Sequence, residues 1–146
     1  MYRKILIATD GSEASKAAER GGMKLAKSLG SEVVVLNVIN EMAISKAIAA
    51  LVGRGFSEED LRRTLKDSAE EIVTDAAKMG EDIGLRVEPL IREGDPALRI
   101  LETAAIEGVG LIILGSHGEG GISSRLIGSV AWKVVNWSET PVMVVR

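Results

Sequence analysis

The sequence predicts a single α/β domain built on a mainly parallel β-sheet with helices on both faces. Short runs rich in Val, Ile and Leu alternate along the chain with longer amphipathic segments. One of these runs, residues 32–39, is almost continuously apolar, as is typical of a strand covered on both faces. The chain has 146 residues, a common length for one domain, and its apolar content of 46% includes only one Phe, one Tyr and two Trp. This aliphatic composition favours parallel strands covered by helices.

The segments that justify this fold follow one another in a regular order. The predicted strands are short apolar runs bounded by breakers, and they cover residues 4–9, 32–39, 86–92, 111–114 and 142–145. The predicted helices show helical apolar spacing, and they cover residues 13–30, 57–84, 95–108 and 124–137. Because parallel strands joined by helices need right-handed crossovers, we expect helices on both faces of the sheet.

Individual residues mark the ends of these segments. Ser12 and Asp95 are predicted helix N-caps, and Gly30 is a predicted C-cap. Pro89 cannot donate a ladder hydrogen bond, so the third strand is predicted to lie at a sheet edge. Residues 40–57 combine an Ala-rich stretch with the breaker Gly-Arg-Gly, and we predict a mobile or partly helical connection there.

Composition excludes several classes of function. The formal net charge of −3 argues against nucleic acid as the main partner, because binding to a phosphate backbone usually requires a basic surface. The absence of cysteine excludes disulfides and thiolate chemistry and agrees with a reducing compartment. No apolar run approaches the ~20 residues of a membrane-spanning helix, and the first run is too short for a signal peptide. We therefore expect a soluble, cytoplasmic protein that does not associate with membranes.

The most informative stretch is the glycine-rich segment from Gly115 to Ser129, which lies between a predicted buried strand and a predicted helix. Glycines let backbone N–H groups approach an anion closely, and the helix N-terminus adds a positive dipole. The segment matches neither the Walker sequence nor the dinucleotide-binding fingerprint. Without a Walker lysine, phosphate charge would be met by backbone amides, by the serine hydroxyls, by Arg125 and by a divalent metal carried with the nucleotide.

The spacing of these glycines resembles a known family. Gly115 and Gly118, followed after nine residues by Gly128 and Ser129, are similar to the ATP-binding motif of universal stress proteins. The resemblance extends to KILIATDGS at the start of the chain, VVVLNVI on the second strand, GDPA before the third helix and TPVMVV at the end. It implies a single-domain three-layer sandwich with a five-stranded parallel sheet of order 3-2-1-4-5. In such a sheet, ligands bind beyond the carboxyl ends of the strands at the point where the strand order reverses.

The resemblance also implies a set of nucleotide-binding residues. Asp10 would accept hydrogen bonds from ribose hydroxyls or adenine, and Val38 would contact adenine through its backbone. The remaining candidates flank the base or meet the ribose and phosphates, and they are Ala8, Thr9, Gly115, Ser116, His117, Gly118, Arg125, Gly128, Ser129 and Val130. The implied cofactor is ATP with Mg or Mn. The sequence departs from the family pattern at Ala8, where some ATP-binding members have proline, and at Asn37, where histidine is frequent.

Simpler interpretations remain open for several of these residues. Gly115 and Gly118 are also expected as plain turn glycines, and Asp10 as a carboxylate that only caps the following turn. His117 is the only histidine in the sequence, which excludes a metal cluster built on histidines, and it is expected to line the site rather than to perform acid–base chemistry.

The final strand, Val142, Met143, Val144 and Val145, is expected at an exposed sheet edge. The resemblance implies a homodimer formed through it, although Pro141 and Arg146 alternatively blunt that edge. The leading hypothesis is an ATP-binding universal stress protein that acts as a nucleotide-dependent switch or sensor in the stress response, with slow hydrolysis at most. The alternatives are an ATPase or nucleotidyl transferase and a nucleotide-free dimeric scaffold of the same family.

Overall fold

A computed structural model of the chain describes residues 1–117 and 126–146. It contains a five-stranded parallel sheet of order β3-β2-β1-β4-β5. The strands are β1 (Lys4–Ala8), β2 (Glu32–Asn40), β3 (Val87–Gly94), β4 (Leu111–Gly115) and β5 (Val142–Val145). The strand order and the parallel directions confirm the predicted fold class.

Helices cover both faces of this sheet. They are α1 (Glu13–Leu29), α2 (Glu41–Leu51), α3 (Glu58–Glu81), α4 (Pro96–Glu107) and α5 (Ser129–Trp137). On one face, residues of α1 and α3 pack in a core cluster with Ile5 and Ile7 of β1. On the other face, residues of α4 and α5 pack with Leu6 and Ala8 of the same strand. Successive residues of a strand point to opposite faces, so the continuous apolar runs fill two cores, and the three predicted layers are confirmed.

The helix ends follow the local sequence signals. Ser12 caps α1, and its hydroxyl accepts a hydrogen bond from Ser15 N. Asp95 caps α4, and its carboxylate accepts a hydrogen bond from Leu98 N. Gly30 adopts a left-handed conformation after α1, as expected of a C-cap. The strand β3 contains Pro89 and, in the part of the chain that the structure describes, pairs with β2 alone, so it lies at the predicted edge.

The connection after β2 is mostly helical. Asn40 caps α2, with its side-chain oxygen accepting a hydrogen bond from Met42 N at 3.0 Å. A short 3-10 turn, Val52–Arg54, then leads to α3. The partly helical prediction is confirmed, but the expected count of four helices is wrong, because the Ala-rich stretch forms a helix of its own.

The last helix begins later than predicted. It starts at Ser129 instead of Ser124, and its N-cap Gly128 has extended backbone angles of φ −65° and ψ 162°. The Gly128 N–H donates to the carbonyl of Ser116 at 2.6 Å, which joins the start of α5 to the residue after β4.

Membrane crossing would require a long apolar helix. Within the described residues, no helix has the length and apolar character that a membrane span needs.

Candidate functional site

The candidate site lies at the point where the strand order reverses. β1 pairs with β2 on one side and with β4 on the other, and Ala8 at the end of β1 is in register with Leu36 and Leu114. The carboxyl ends of three strands therefore open into one crevice, where a cavity of about 760 Å³ forms. This volume is within the range of sites for small-molecule ligands and cofactors.

The cavity has a polar side and an apolar side. The polar side is formed by the turn after β1, the first turn of α1, the end of β4 and the start of α5, and it includes Thr9, Asp10, Ser15, Gly115, His117, Gly128 and Ser129. The apolar side is formed by the end of β2 and by α2 and α3, and it includes Ile39, Ala43, Ile44, Leu65, Ala69 and Ile72. A ligand with an apolar body and a charged end matches this division.

Asp10 is held by the turn that follows β1. Its Oδ1 atom accepts hydrogen bonds from Ser12 N at 2.9 Å and from Ser15 Oγ at 2.6 Å, while its own N–H donates to Ser15 Oγ at 3.2 Å. The residue is half-buried and lines the cavity. Asp10 thus supports the turn, as the simpler interpretation holds, and it also faces the crevice.

Thr9 connects the turn to the rest of the sheet. Its N–H donates to the Leu36 carbonyl at 2.9 Å, and its own carbonyl accepts from Asn37 Nδ2 at 2.8 Å. Its hydroxyl donates to Glu19 Oε1 and accepts from Gly11 N at 3.2 Å. The three polar groups of Thr9 thus make four hydrogen bonds, and the Asn37 side chain provides one of them.

Glu19 is a residue that the sequence pattern did not single out. It lies in α1 and is only 5% exposed, although its position within a polar helical stretch gave no sign of burial. Burial raises the pKa of the Glu19 carboxyl above its ordinary value of 4.5, against the opposing effects of the Thr9 hydrogen bond and of the Lys16 and Arg20 charges. No pattern near Glu19 in the sequence predicts its burial, because its hydrogen-bond partner is Thr9, which directly follows β1.

Gly115 lies directly against the backbone of α1. A Cβ atom at this position would stand 2.8 Å from both the carbonyl carbon and the oxygen of Ala14. No real Cβ makes contacts this short, so close packing between β4 and α1 requires glycine here whether or not a ligand is bound. Gly115 also lines the cavity, which places it at both a packing contact and the candidate site.

Ser116 is placed differently from its neighbours. It is fully buried and is not among the residues that line the cavity. Its N–H donates to the Val145 carbonyl at 2.8 Å, and its Oγ lies 2.9 Å from Nδ1 of His117. The structure therefore makes Ser116 a support for His117 and for Gly128, while His117 itself lines the cavity.

The N-terminus of α5 faces the same crevice. Gly128, Ser129 and Val130 all line the cavity. The first N–H groups of a helix have no partner within the helix, and the helix dipole makes this end positive. No lysine or arginine occurs among the cavity-lining residues that the structure describes. A bound anion would therefore be met here mainly by backbone N–H groups.

Two of the candidate residues, Gly118 and Arg125, lie outside the described residues. Of the other ten candidates, the structure brings nine to the cavity wall and leaves only Ser116 behind it. The nine are Ala8, Thr9, Asp10, Val38, Gly115, His117, Gly128, Ser129 and Val130.

The apolar wall formed by α2 and α3 was also not predicted. Ala43 and Ile44 lie in α2, while Leu65 and Ile72 lie in α3. The apolar spacing of these helices predicts a buried face, but it cannot distinguish a face that covers the sheet from one that lines a cavity. Only the packing of both helices beyond the end of β2 makes that distinction.

The described residues of the candidate site suit a metal ion that is bound to a ligand's phosphates. They suit a metal ion held by protein side chains alone less well. In residues 1–117 and 126–146, no group of three or more His, Cys, Asp and Glu side chains is arranged to hold a metal ion. Mg²⁺ commonly binds through one or two carboxylates together with substrate phosphates. Asp10 is the only carboxylate among the described cavity-lining residues, which agrees with this mode.

Comparison with known proteins extends over the whole chain. A model of the universal stress protein family matches residues 1–146. Universal stress protein MJ0577 of Methanocaldococcus jannaschii is 36% identical and covers 100% of this chain and 96% of its own length. Universal stress protein YxiE of Bacillus subtilis is 33% identical, with both chains covered completely.

Solved structures agree with this relationship. The structure of MJ0577 superposes with a TM-score of 0.81 at 35% identity, covering 99% of this chain and 96% of that chain. A universal stress protein from Archaeoglobus fulgidus, solved in complex with dAMP, has a TM-score of 0.70 at 21% identity, with 99% and 98% coverage, and this likeness concerns the fold. Sequence, fold and site thus lead to one identification: this chain belongs to the universal stress protein family.

Proposed function

We propose that this universal stress protein binds ATP, carried with Mg or Mn, in the crevice between β1 and β4. The observation that supports this most directly is the juxtaposition of Asp10 with the N-terminus of α5 across one cavity. A carboxylate suits ribose hydroxyls, and a helix N-terminus suits phosphate oxygens. The apolar wall from α2 and α3 provides a surface on which a base can pack.

A solved protein of the same fold adds support for the class of ligand. The Archaeoglobus fulgidus protein was solved with dAMP, an adenine nucleotide. For this chain, we assign the adenine to the end of β2 near Val38, the ribose to Asp10, and the phosphates to Gly115, His117 and the segment from Gly128 to Val130. Gly118 and Arg125 complete the proposed set on the strength of the family motif.

The divalent metal is proposed because the phosphates carry more charge than the described wall can neutralise. The helix dipole and backbone N–H groups supply only partial positive charges, and the described lining residues include no lysine or arginine. A metal ion bound to the triphosphate would neutralise the remaining negative charge.

The proposed biological role is a nucleotide-dependent switch or sensor in the stress response. Ala43 and Ile44 of α2 line the cavity, whereas most of that helix is exposed. Ligand binding would therefore act directly on α2, which also forms part of the outer surface. A change in the ordering of α2 would then alter the binding of partner proteins. Hydrolysis is proposed to be slow at most.

The proposed assembly is a homodimer formed through β5. Among the described strands, β5 pairs with β4 alone, and its four residues are half-buried. A second copy pairing at that edge would satisfy its outward backbone groups and cover the remaining apolar surface. The cytoplasm is the proposed location, in agreement with a chain that contains no cysteine.

Copurification and titration test the central proposal. Mass spectrometry of the purified protein should identify any retained nucleotide, and calorimetric titration with ATP should show saturable binding that is tighter with magnesium. Failure to bind at millimolar ATP would contradict the proposal. Turnover of many ATP molecules per second would instead favour the enzymatic alternative.

A further inference from the structure

The carboxyl of Glu19 lies behind the candidate site and not within its wall. It borders a narrow groove between α1 and α3 of about 190 Å³, next to Gly11 and Ile72. A buried carboxyl is costly unless hydrogen-bonded, and here its partner is the Thr9 hydroxyl, one residue before Asp10. Glu19 is thus joined to the nucleotide crevice through a single side chain.

The hydrogen bonds around Thr9 have a defined direction. An ionised carboxylate only accepts hydrogen bonds, so the Thr9 hydroxyl must donate its proton to Glu19. The lone pairs of that hydroxyl are then free to accept from Gly11 N, at 3.2 Å. Gly11 follows Asp10 directly and has a φ of +81°, so this contact stabilises a turn that few other residues could form.

A neutral side chain of the same shape would not impose this direction. The amide of Gln contains an NH₂ group that can donate to the Thr9 oxygen, which would compete with the Gly11 N–H and release the threonine proton. Protonated Glu19 would not fix the direction of this hydrogen bond either, because its O–H group can donate to the Thr9 oxygen. The ionised form is therefore the one that organises the turn.

We propose that Glu19 is a positioning residue of the nucleotide site, whose carboxylate orients the Thr9 hydroxyl so that Gly11 and the turn presenting Asp10 are held in the binding geometry. The inference rests on the proposed nucleotide-binding function and deepens it. It makes binding sensitive to protonation of Glu19, and the same group responds to Lys16 and Arg20 on its own helix and to Asp75 on α3. Glu71 of α3 borders the same groove.

The test compares Glu19→Gln with Glu71→Gln in the full chain. Both variants replace a carboxyl of the same groove by an amide, but only Glu19 hydrogen-bonds to Thr9. At pH 7.5, we expect ATP with magnesium to bind about two- to tenfold more weakly to Glu19→Gln, the range of one displaced hydrogen bond. Glu71→Gln should bind like the unmodified protein. Equal affinities in all three proteins, or equal losses in both variants, would overturn the proposal.

The pH profile provides a second readout. As the pH falls toward the raised pKa of Glu19, binding to the unmodified protein and to Glu71→Gln should weaken more than binding to Glu19→Gln. Titration of the nucleotide phosphates is common to all three proteins and cancels in this comparison. Parallel profiles would contradict a role for the ionised carboxylate.

A ligand-free measurement separates this inference from the proposed function. In the amide NMR spectrum without nucleotide, Glu19→Gln should shift the Gly11 resonance and increase the exchange of its N–H, whereas Glu71→Gln should not. An unchanged Gly11 signal would overturn the positioning role even if ATP binds. A changed signal in a protein that binds no ATP would instead overturn the proposed function alone.

Discussion

Gly115 approaches Ala14 so closely that a single added methyl group would overlap the helix backbone. A Cβ atom on Gly115 would lie 2.8 Å from the carbonyl carbon and oxygen of Ala14. This glycine opens the segment that resembles the family's ATP-binding motif, yet its lack of a side chain is already required by the contact between β4 and α1. Part of that motif therefore supports the fold that creates the crevice.

Replacement of Gly115 by alanine should destabilise the protein without any ligand present. Because the neighbouring atoms belong to the α1 backbone and cannot rotate away, we expect a loss of about 1–3 kcal/mol in the free energy of unfolding. Urea unfolding measures this loss. Gly21→Ala is the matched control, since nothing lies within 4 Å of its added Cβ, and it should raise stability by about 0.5–1 kcal/mol in the middle of α1. Equal effects of the two substitutions would contradict the packing argument.

Replacement of Asp10 by asparagine should weaken recognition of the ribose. The amide oxygen can still accept from Ser12 N, so the turn is retained, but the charge-assisted hydrogen bonds to ribose hydroxyls are lost. We expect affinity for ATP to fall by about tenfold or more. Calorimetric titration with ATP and with its 2′- and 3′-deoxy forms checks this result.

The same titrations carry their own control. Asp82→Asn changes an equivalent charge at the end of α3, outside the cavity-lining residues, and should leave the affinity unchanged. If the unmodified protein binds ATP and both of its deoxy forms equally well, Asp10 does not recognise the ribose hydroxyls.

Removal of divalent metal should affect ligands in proportion to their phosphate charge. Because the described lining residues include no lysine or arginine, EDTA should lower the affinity for ATP by about tenfold or more. Adenosine has no phosphate, so its affinity should not change. Parallel titrations of both ligands with and without magnesium measure the difference, and metal-independent ATP binding would show that the charge is neutralised by protein groups.

Ionisation of Glu19 should make the stability of the folded protein depend on pH. Burial raises the pKa of this carboxyl, so the folded protein binds the proton more readily than the unfolded chain does. The stabilising contribution of the proton is complete below the ordinary value of 4.5 and is lost as the pH rises through the raised value. The stability of Glu19→Gln relative to the unmodified protein should therefore rise between pH 4.5 and pH 7 in urea unfolding. A stability difference that is independent of pH would contradict this assignment.

The proposed dimer should depend on the outward backbone groups of β5. The carbonyls of Pro141 and Val145 accept hydrogen bonds from Ile112 and Ser116 of the β4 segment, so in this alternating ladder the Val144 N–H points to the free edge. Val144→Pro should produce a folded monomer, as light scattering and circular dichroism can show. A dimer that persists in this variant would place the interface elsewhere.

Features that depend on near neighbours along the chain could be predicted from the sequence. The alternation of apolar runs and amphipathic segments specified the α/β class, Ser12 and Asp95 marked helix starts, and Pro89 marked an edge strand. Each of these signals acts through the backbone hydrogen bonding of a few adjacent residues. The order of the strands and most of the candidate site came from resemblance to the family, and the structure agrees with that order.

Contacts between distant elements were decided by the assembled fold alone. It placed Ser116 behind the crevice, paired Glu19 with Thr9, pressed Gly115 against Ala14 and brought α2 over the cavity. These relationships depend on the packing of elements that are far apart along the chain, and a local pattern is the same whichever element it packs against. For that reason the sequence indicated a nucleotide crevice, whereas its supports and its apolar wall became visible only once the helices and strands were assembled.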